Sequence, residues 1–266
     1  MGVDTMSDLN EVLIRESLKN ISFGNRVLYM ERTSSTMDQA RKLAVEGCEE
    51  GTLVIAEEQS FGRGRFNRQW ISPPGLNLYL TVILRPNIGW LPQLSMMAAT
   101  SIVYAIKRIS GFPLSPTVKW PNDVRIGGKK VAGILIENEI DGDSVEFCLI
   151  GIGINVNFDP TSHDSIVDIA TSIRNEIGHD VSRLETMRVL IEQMETSYER
   201  IKKGISIVSE WEDLIDTIGK RVTVLALSEK FQGHALGVNE SGSLVVKMDN
   251  GTVTAFSGGE VTIQVD

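Results

Sequence analysis

The stretch VAGILIENEIDGDSVEFCLIGIGINVNF, residues 131–158, predicts two strands of a β-sheet. Its two apolar runs are typical of strands, and the turn-forming DGD at 141–143 separates them. Hydrophobic periodicity and capping residues predict further strands and several helices around this pair. We predict an α+β fold with a mixed, largely antiparallel sheet. The other strands are predicted at 26–33, 52–59, 76–84 and 117–120, and the helices at 8–20, 36–46, 91–110, 183–204 and 209–218.

The character of the sequence changes at Gly219. From there the chain consists of five short β-prone runs, VTVLAL, FQGHALGVN, SLVVKM, TVTAF and EVTIQV, broken by Gly, Asn and Ser. Closely spaced short strands with turn residues between them are typical of a small barrel. We therefore predict a larger domain over residues 1–217 and a small C-terminal β-barrel over residues 218–266.

Composition narrows the function. The net charge of −9 argues against general nucleic-acid binding, which needs a basic face, so a local basic cluster indicates a small anionic ligand. Cys48 and Cys148 are isolated and predict neither a disulfide framework nor a zinc site, which favours a reducing cytoplasm. The N-terminus does not resemble a signal peptide, and no apolar run is long enough for a membrane span.

The segment GRGRFNRQW, residues 62–70, carries that basic cluster. Arginine side chains bind phosphates and carboxylates with two parallel hydrogen bonds, and glycines let a backbone approach a ligand and let a loop move. Trp70 offers a flat surface for a ring. The alternative interpretation is a solvated surface loop in which Trp70 is a buried anchor.

Two further segments point to a ligand site. In KWPNDVRIGGKK, residues 119–130, Lys119, Lys129 and Lys130 flank Asp123, although Asn122 and Asp123 are also ordinary turn residues. In GIGINVN, residues 151–157, strand alternation places both glycines and both asparagines on one face, which leaves room for a ligand. Neither a dinucleotide-binding fingerprint nor a phosphate-binding P-loop is present.

The hydroxyl pair Ser35 and Thr36 begins a predicted helix. Thr36 and Gln39 have the spacing of a capping box, so Thr36 is expected to cap this helix. A hydroxyl pair at a helix N-terminus can also hydrogen-bond a polar ligand. Gln59, at the end of a strand, is expected to lie beside the arginine loop. No Ser-His-Asp or Cys-His arrangement is visible, which argues against a covalent nucleophile.

Several motifs occur in one order: SST at 34–36, AEEQSFGRGRFNRQW at 56–70, SPPGLNLYLTVIL at 72–84, KWPNDV and GKKVAGILIE within 119–137, and GIGINVN at 151–157. This series resembles the biotin protein ligases over nearly the whole chain. The resemblance implies a class II synthetase-like biotin/lipoate ligase catalytic domain followed by a small β-barrel. It also implies a two-step reaction, in which biotin and ATP form biotinyl-5′-AMP and the biotinyl group then passes to a lysine of a biotin carboxyl carrier domain.

The resemblance also implies roles for individual residues. Arg63, Arg65 and Lys130 are expected to supply fixed positive charge where charge builds up, and Asp123 to orient the incoming lysine or accept its proton. The expected biotin-binding residues are Ser35, Thr36, Met37, Gln59, Gly62, Arg63, Gly64, Arg65, Lys130, Gly133 and Gly153. The expected ATP- and adenylate-binding residues are Arg68, Trp70, Asn122, Asp123, Lys130 and Asn155.

The remaining expectations concern partners and alternatives. Mg²⁺ is expected to accompany ATP without a dedicated protein site. The partner is expected to be a biotin carboxyl carrier protein or domain, with a homodimer as one alternative for the oligomeric state and with neither DNA nor membrane binding. A lipoate or octanoate ligase or transferase of the same fold is the main alternative function. A non-catalytic biotin-sensing or DNA-binding regulator is the second.

Three departures from the family pattern stand out. Phe66-Asn67 occupies positions where the family often has Arg-Gly, so one loop cation is missing. Met37 replaces a common asparagine. Only 34 residues precede Ser35, too few for the N-terminal winged-helix domain of the repressor members plus a strand, so we expect the short, non-repressor type.

Overall fold

A computed structural model describes residues 8–111, 113–226 and 229–264 of the chain. Leu227 and Val265, at the ends of two predicted strands, lie outside these described residues. The structure contains one large sheet and one smaller sheet, and the described strands of the two lie on opposite sides of the predicted boundary at residues 217 and 218. The boundary itself stays a prediction.

The large sheet has seven strands in the order β1-β2-β3-β7-β6-β5-β4. The neighbours β1 and β2 run parallel, and every other neighbouring pair runs antiparallel. The prediction of an α+β fold with a mixed, largely antiparallel sheet is confirmed. The strands are β1 (Val27–Thr33), β2 (Thr52–Gln59), β3 (Leu78–Leu84), β4 (Thr117–Lys119), β5 (Asp123–Ile126), β6 (Lys129–Asp141) and β7 (Ser144–Ile154).

The opening stretch forms the hairpin β6–β7 at the centre of this sheet. Gly133 lies opposite Gly153, and Ile134 lies opposite Ile152. This register separates two faces, because residues that pair across strands share a face and alternate residues point to opposite faces. Ile134 and Ile152 join the main hydrophobic core, and the glycines therefore line the other face.

Helices cover the sheet. They are α1 (Glu11–Ser17), α2 (Thr36–Val45), α3 (Leu91–Ser110), α4 (Ile173–Ile177), α5 (Arg183–Lys202) and α6 (Val208–Glu212). The long helices α3 and α5 supply Leu94, Ile102 and Leu190 to the main core, and α2 supplies Ala40 and Ala44 to a second cluster. Burial on both faces explains why all of β3 is buried rather than alternating.

The predicted capping box at α2 is wrong. Ser35 is the residue before the helix and makes no side-chain cap hydrogen bond. The Thr36 backbone N–H and hydroxyl instead donate to Oε1 of Gln59, at 2.9 and 3.1 Å. Gln39 reaches back to the hydroxyl of Thr33, at 3.3 Å. Gln59, on β2, thus replaces Gln39 as the hydrogen-bond partner of Thr36. This contact holds the Thr36 and Gln59 side chains side by side.

The smaller sheet has five antiparallel strands in the order β11-β10-β9-β8-β12. We predicted this region as a small barrel, and it forms an antiparallel sheet domain. Trp120 joins the two sheets, since its indole N–H donates to the Gly242 carbonyl at 3.0 Å. The strands are β8 (Arg221–Ala226), β9 (Glu229–Val238), β10 (Leu244–Met248), β11 (Val253–Phe256) and β12 (Glu260–Ile263).

Within residues 8–111, 113–226 and 229–264, no helix is both long and apolar enough to cross a membrane.

Candidate active site

A cavity of about 470 Å³ lies on the glycine face of the large sheet and extends to the β11–β12 turn. It brings together residues from segments that are far apart in the sequence. Gly62 does not line it, but lines a neighbouring cavity of about 680 Å³ that shares the arginine loop. The predicted site residues that line the first cavity are Ser35, Thr36, Met37, Gln59, Arg63, Gly64, Arg65, Arg68, Trp70, Asn122, Asp123, Lys130, Gly133, Gly153 and Asn155.

One end of the cavity is a pocket of fixed hydrogen-bonding groups. Thr36 donates to Gln59 as described, and the buried hydroxyl of Thr81 donates to the Thr36 hydroxyl at 2.9 Å. The Gln59 amide donates to the Ser72 hydroxyl at 3.0 Å. The Ser35 hydroxyl is buried and has no hydrogen-bond partner among the described residues. A buried hydroxyl without a partner is costly, so a polar ligand atom is expected at this end.

Trp70 occupies the space that the glycines leave on the sheet. A Cβ atom at Gly153 would lie 2.5 Å from the indole Cε2, and one at Gly133 would lie 3.1 Å from Cζ3. At Gly151 a Cβ atom would lie 2.6 Å from Sδ of Met37. The glycine face therefore accommodates two of the chain's own side chains, whereas we expected it to leave room for a ligand directly. The indole becomes a wall of the cavity.

The asparagines of the glycine face are used by the protein itself. The Asn155 amide donates to the Thr171 carbonyl at 3.0 Å, and the Asn157 amide pairs with the backbone of Val181 in both directions at 2.9 Å. Asn155 therefore holds the segment that follows β7 against the sheet. Its predicted adenylate contact stays a prediction.

Positive charge is concentrated in the middle of the cavity. The Lys130 ammonium lies 2.7 Å from Oδ1 of Asp123 and 5.2 Å from the centroid of the Trp70 ring. Asn122, the neighbour of Asp123, donates from its amide to the Ile134 carbonyl at 2.8 Å. The lysine is thus held between a carboxylate and an aromatic face, which fixes its position.

The arginine loop closes over this centre as a compact turn. The Gly64 N–H donates to the Arg68 carbonyl at 2.7 Å, and the Trp70 N–H donates to the Gly62 carbonyl at 2.8 Å. Phe66 and Asn67 both have left-handed backbone conformations, with φ of 56° and 58°. Asparagine adopts this conformation more readily than most residues. Asn67 therefore adopts a turn conformation that favours glycine.

Each loop arginine already has a protein partner. Arg63 lies 3.2 Å from Asp38 and 3.0 Å from Glu137. To reach an anionic ligand, Arg63 would have to leave these two carboxylates.

The other two arginines contact the smaller sheet. Arg65 donates to Oδ1 of Asn122 at 2.8 Å and to the Gly259 carbonyl at 3.0 Å, and Arg68 donates to Oε1 of Glu260 at 2.6 Å. Burial lowers the pKa of the Arg65 guanidinium from its ordinary value, and the charges of Asp123 and Glu260 oppose that shift. The turn between β11 and β12 therefore forms part of the site.

Some polar and charged residues at or beside the cavity were not among the predicted site residues, although Lys119 was noted as a neighbour of the turn. Arg125 and Lys119 extend the positive charge onto β5 and β4, and Glu260 comes from the smaller sheet. Thr81 supports Thr36 from β3. Residues two apart in a strand share a face, so a strand through Asp123 would have placed Arg125 on the same face as Asp123. We predicted no strand between the two turns at 121–123 and 127–129. Nothing local in the sequence indicates Glu260.

Comparisons with known proteins identify the family of the chain. Residues 29–155 match the Biotin/lipoate A/B protein ligase family, and residues 217–263 match the Biotin protein ligase C terminal domain. The chain is 36% identical over 254 residues to the Bifunctional ligase/repressor BirA of Bacillus subtilis, covering 94% of this chain and 78% of that relative. It is 33% identical to the Biotin--[acetyl-CoA-carboxylase] ligase of Paracoccus denitrificans, covering 82% of this chain and 92% of the relative.

A solved structure is similar over most of the chain. The biotin protein ligase from Aquifex aeolicus in complex with biotin and ATP has a TM-score of 0.76 and 28% identity, and covers 91% of this chain and 100% of that one. The Paracoccus and Aquifex proteins are named for biotin, and none of these relatives is named for lipoate. The predicted function, a biotin protein ligase, is confirmed by these relatives. By sequence and fold, this chain belongs to the biotin protein ligases within the biotin/lipoate A/B protein ligase family.

Proposed function

We propose that the cavity binds biotin and ATP side by side and that the predicted residues carry both steps of carrier biotinylation. The observation that carries this proposal is the order of groups across the sheet. The hydrogen-bonding pocket of Thr36 and Gln59 lies at the end of β2, and Lys130 with Asp123 lies on β6 and β5. A ligand with a polar ring, then a chain and then a carboxylate fits this order, with the ring in the hydrogen-bonding pocket and the carboxylate towards Lys130.

The biotin end of the site requires donors and acceptors for a ureido group. Thr36, Gln59 and the buried Ser35 hydroxyl supply them. The apolar surface of Trp70 and Met37, packed on the glycines, lines the path from this pocket towards Lys130. Small-molecule sites commonly combine an apolar wall with a few fixed polar groups.

In the first step, a carboxylate oxygen of biotin attacks the α-phosphorus of ATP. The new P–O bond forms as the bond to the β-phosphate oxygen breaks, and pyrophosphate leaves with the electron pair. Two anions meet in this step, so fixed cations lower its barrier. Lys130 lines the cavity and is the proposed cation for this step. Arg63 and Arg65 line the same cavity from the arginine loop. Arg68, Trp70, Asn122 and Asn155 form the proposed surroundings of the adenylate.

In the second step, the amine of a carrier lysine attacks the carbonyl carbon of the biotinyl group, and AMP leaves. The amine must lose a proton, and Asp123 is the proposed acceptor or orienting group. Its carboxylate is bound to Lys130 at 2.7 Å, so it is fixed in the centre of the cavity. A carboxylate that is held in place can position the amine by accepting a hydrogen bond.

Several attributes of the chain remain proposals. Among the described residues, no group of three or more His, Cys, Asp or Glu side chains is placed to hold a metal ion, and we propose that the Mg²⁺ of ATP is held by phosphates and water. The two free, buried cysteines are compatible with a cytoplasmic location. The carrier is a carboxylase biotin domain by analogy with the relatives' names. A homodimer and the lack of DNA binding stay predictions.

The experiment that tests the proposal is mass spectrometry of a carrier domain after incubation with this protein, biotin and ATP. We expect one biotinyl group per carrier on a single lysine, with release of AMP and pyrophosphate. Replacement of biotin by lipoate is the control, and a lipoylated carrier with no biotin product would contradict the proposal. A gel shift on DNA at low and high salt tests the regulator alternative.

A smaller effect is expected at the contact between the arginine loop and the smaller sheet. In Glu260→Gln the partner of Arg68 loses its charge. Since Arg68 is 65% exposed, the pair contributes at most about 1 kcal/mol to folding, and the free energy of unfolding should hardly change. We expect the loop to open more often and biotinyl-5′-AMP to escape faster, measured as biotinylation of lysines on an unrelated protein.

The matched control for this variant is Glu210→Gln, which removes the charge of an exposed carboxylate paired with Arg200 outside the cavity. Equal off-target biotinylation by the two variants would contradict a role for Glu260 in holding the loop.

A further inference from the structure

Two cations on the edge strands of the large sheet extend the site beyond the residues described above. Arg125 follows Asp123 by two positions on β5, so both side chains leave the same face of the strand. Asp123 pairs in register with Lys119 on β4, and Arg125 pairs with Lys130 on β6. All four residues line the cavity. They form one cluster of three cations and one carboxylate.

The charges of this cluster do not balance. Lys130 forms its ion pair with Asp123 at 2.7 Å, whereas Lys119 and Arg125 have no ion pair with any described residue. Nε of Arg125 is buried and lacks a hydrogen-bond partner in the same part of the chain. Burial lowers the pKa of Lys119, the neighbouring charge of Arg125 lowers it further, and the carboxylates of Asp123 and Glu260 oppose the shift. Half-buried positive charge of this kind is stabilised by an anion.

We propose that Arg125 and Lys119 bind the β- and γ-phosphates of ATP, the part that leaves as pyrophosphate when the adenylate forms. This inference rests on the proposed function of the cavity. A guanidinium binds phosphate oxygens with two parallel hydrogen bonds, and an ammonium adds a compact charge beside it. Adenine carries no negative charge, so an adenine ring bound beside Arg125 and Lys119 would not compensate their two positive charges.

The order of the strands supports this assignment. From the Thr36–Gln59 pocket the cavity passes β7 and β6 before it reaches β5 and β4. Neighbouring strands lie roughly 4.8 Å apart, so Lys119 on β4 is about 10 Å beyond the strand that carries Lys130. If the α-phosphate is bound at Lys130, the leaving phosphates extend towards β5 and β4.

The two cations would also act on the chemistry. When the bond between the α-phosphorus and the bridging oxygen breaks, negative charge increases on the departing pyrophosphate. Arg125 and Lys119 stabilise that charge, which lowers the barrier of the step as well as aiding ATP binding. Their removal should therefore affect both KM for ATP and kcat of adenylate formation, and should leave KM for biotin unchanged.

The test compares Arg125→Leu with wild type in biotin-dependent exchange of pyrophosphate into ATP and in calorimetric titration with pyrophosphate and with AMP. We expect pyrophosphate affinity to fall about 10- to 100-fold, the range for loss of a charge-assisted hydrogen-bond donor, while AMP affinity is retained. Arg125→Lys should restore part of the loss. The matched control is Arg108→Leu, which removes an exposed arginine of α3.

Two results would overturn the inference. One is unchanged pyrophosphate affinity in both Arg125→Leu and Lys119→Met, each with the melting temperature of wild type. The other is loss of AMP affinity with pyrophosphate affinity retained, which would place Arg125 against the nucleoside instead. Because wild-type biotinylation of the carrier is measured separately, either result can be distinguished from failure of the proposed function.

Discussion

Replacement of Lys130 by alanine is expected to reduce adenylate formation about a thousandfold, the upper range for loss of one fixed group that stabilises transition-state charge. The Lys130 ammonium is held by Asp123 at 2.7 Å and by the face of Trp70. Among the described lysines, only Lys130 combines a place in the cavity with a carboxylate partner that also lines it. Biotin-dependent release of pyrophosphate in a single turnover measures the effect.

The control for this prediction is the adjacent lysine. Lys129 is exposed and donates to the Val167 carbonyl at 3.1 Å, outside the cavity, so Lys129→Ala should retain nearly full activity. Lys130→Ala also leaves the Asp123 carboxylate without its partner. The double variant Lys130→Ala with Asp123→Asn removes that carboxylate charge and shows how much of the loss it causes. A folded, active Lys130→Ala protein would refute the role of this lysine.

The second large effect is expected at Gly153. In Gly153→Ala the new methyl group would lie 2.5 Å from Cε2 and 2.6 Å from Nε1 of Trp70, so the indole must move. Displacement of a cavity wall by about 1 Å can slow a reaction roughly 100-fold, and overpacking costs about 1–3 kcal/mol of folding free energy. We expect losses of this order in adenylate formation and in the free energy of unfolding, measured by pyrophosphate release and by urea denaturation.

A second substitution makes this prediction specific. Trp70→Phe has a smaller ring, so in combination with Gly153→Ala it should recover part of the lost stability. Gly89→Ala is the matched control, because a methyl group there would meet only Oδ1 of Asn87 at 3.5 Å, an ordinary contact. If Gly153→Ala retained full activity, the packing of Trp70 on the glycines would not matter for catalysis.

Most of the large sheet could be predicted because its strands are marked by local patterns. The apolar runs at 52–59, 76–84 and 131–158 have strand composition, and alternation correctly separates Ile152 from Gly153. The helices α3 and α5 agree with their predicted spans. Such features depend on neighbours a few residues away, so a single sequence contains the information.

The parts that could not be predicted depend on contacts between distant residues. Trp70 fills the space above Gly153, 83 positions away in the sequence, and only the folded sheet places the two together. The hydrogen bond from Arg68 to Glu260 joins residues separated by 192 positions. Thr36 was misassigned for the same reason, because Gln59 replaced the local partner that helix propensity suggested.

The ion pairs of the arginine loop affect how substrate binding responds to solution conditions. Arg63 and Arg68 already contact carboxylates, so an anionic substrate that recruits either arginine exchanges one ion pair for another. The number of separated charges then changes little, and dissolved salt screens the initial and final pairs to a similar extent. The loop therefore contributes to choosing which anion is held rather than to attracting anions from a distance. Long-range attraction of anions then depends on Lys119 and Arg125, the cavity cations that form no ion pair with a described carboxylate.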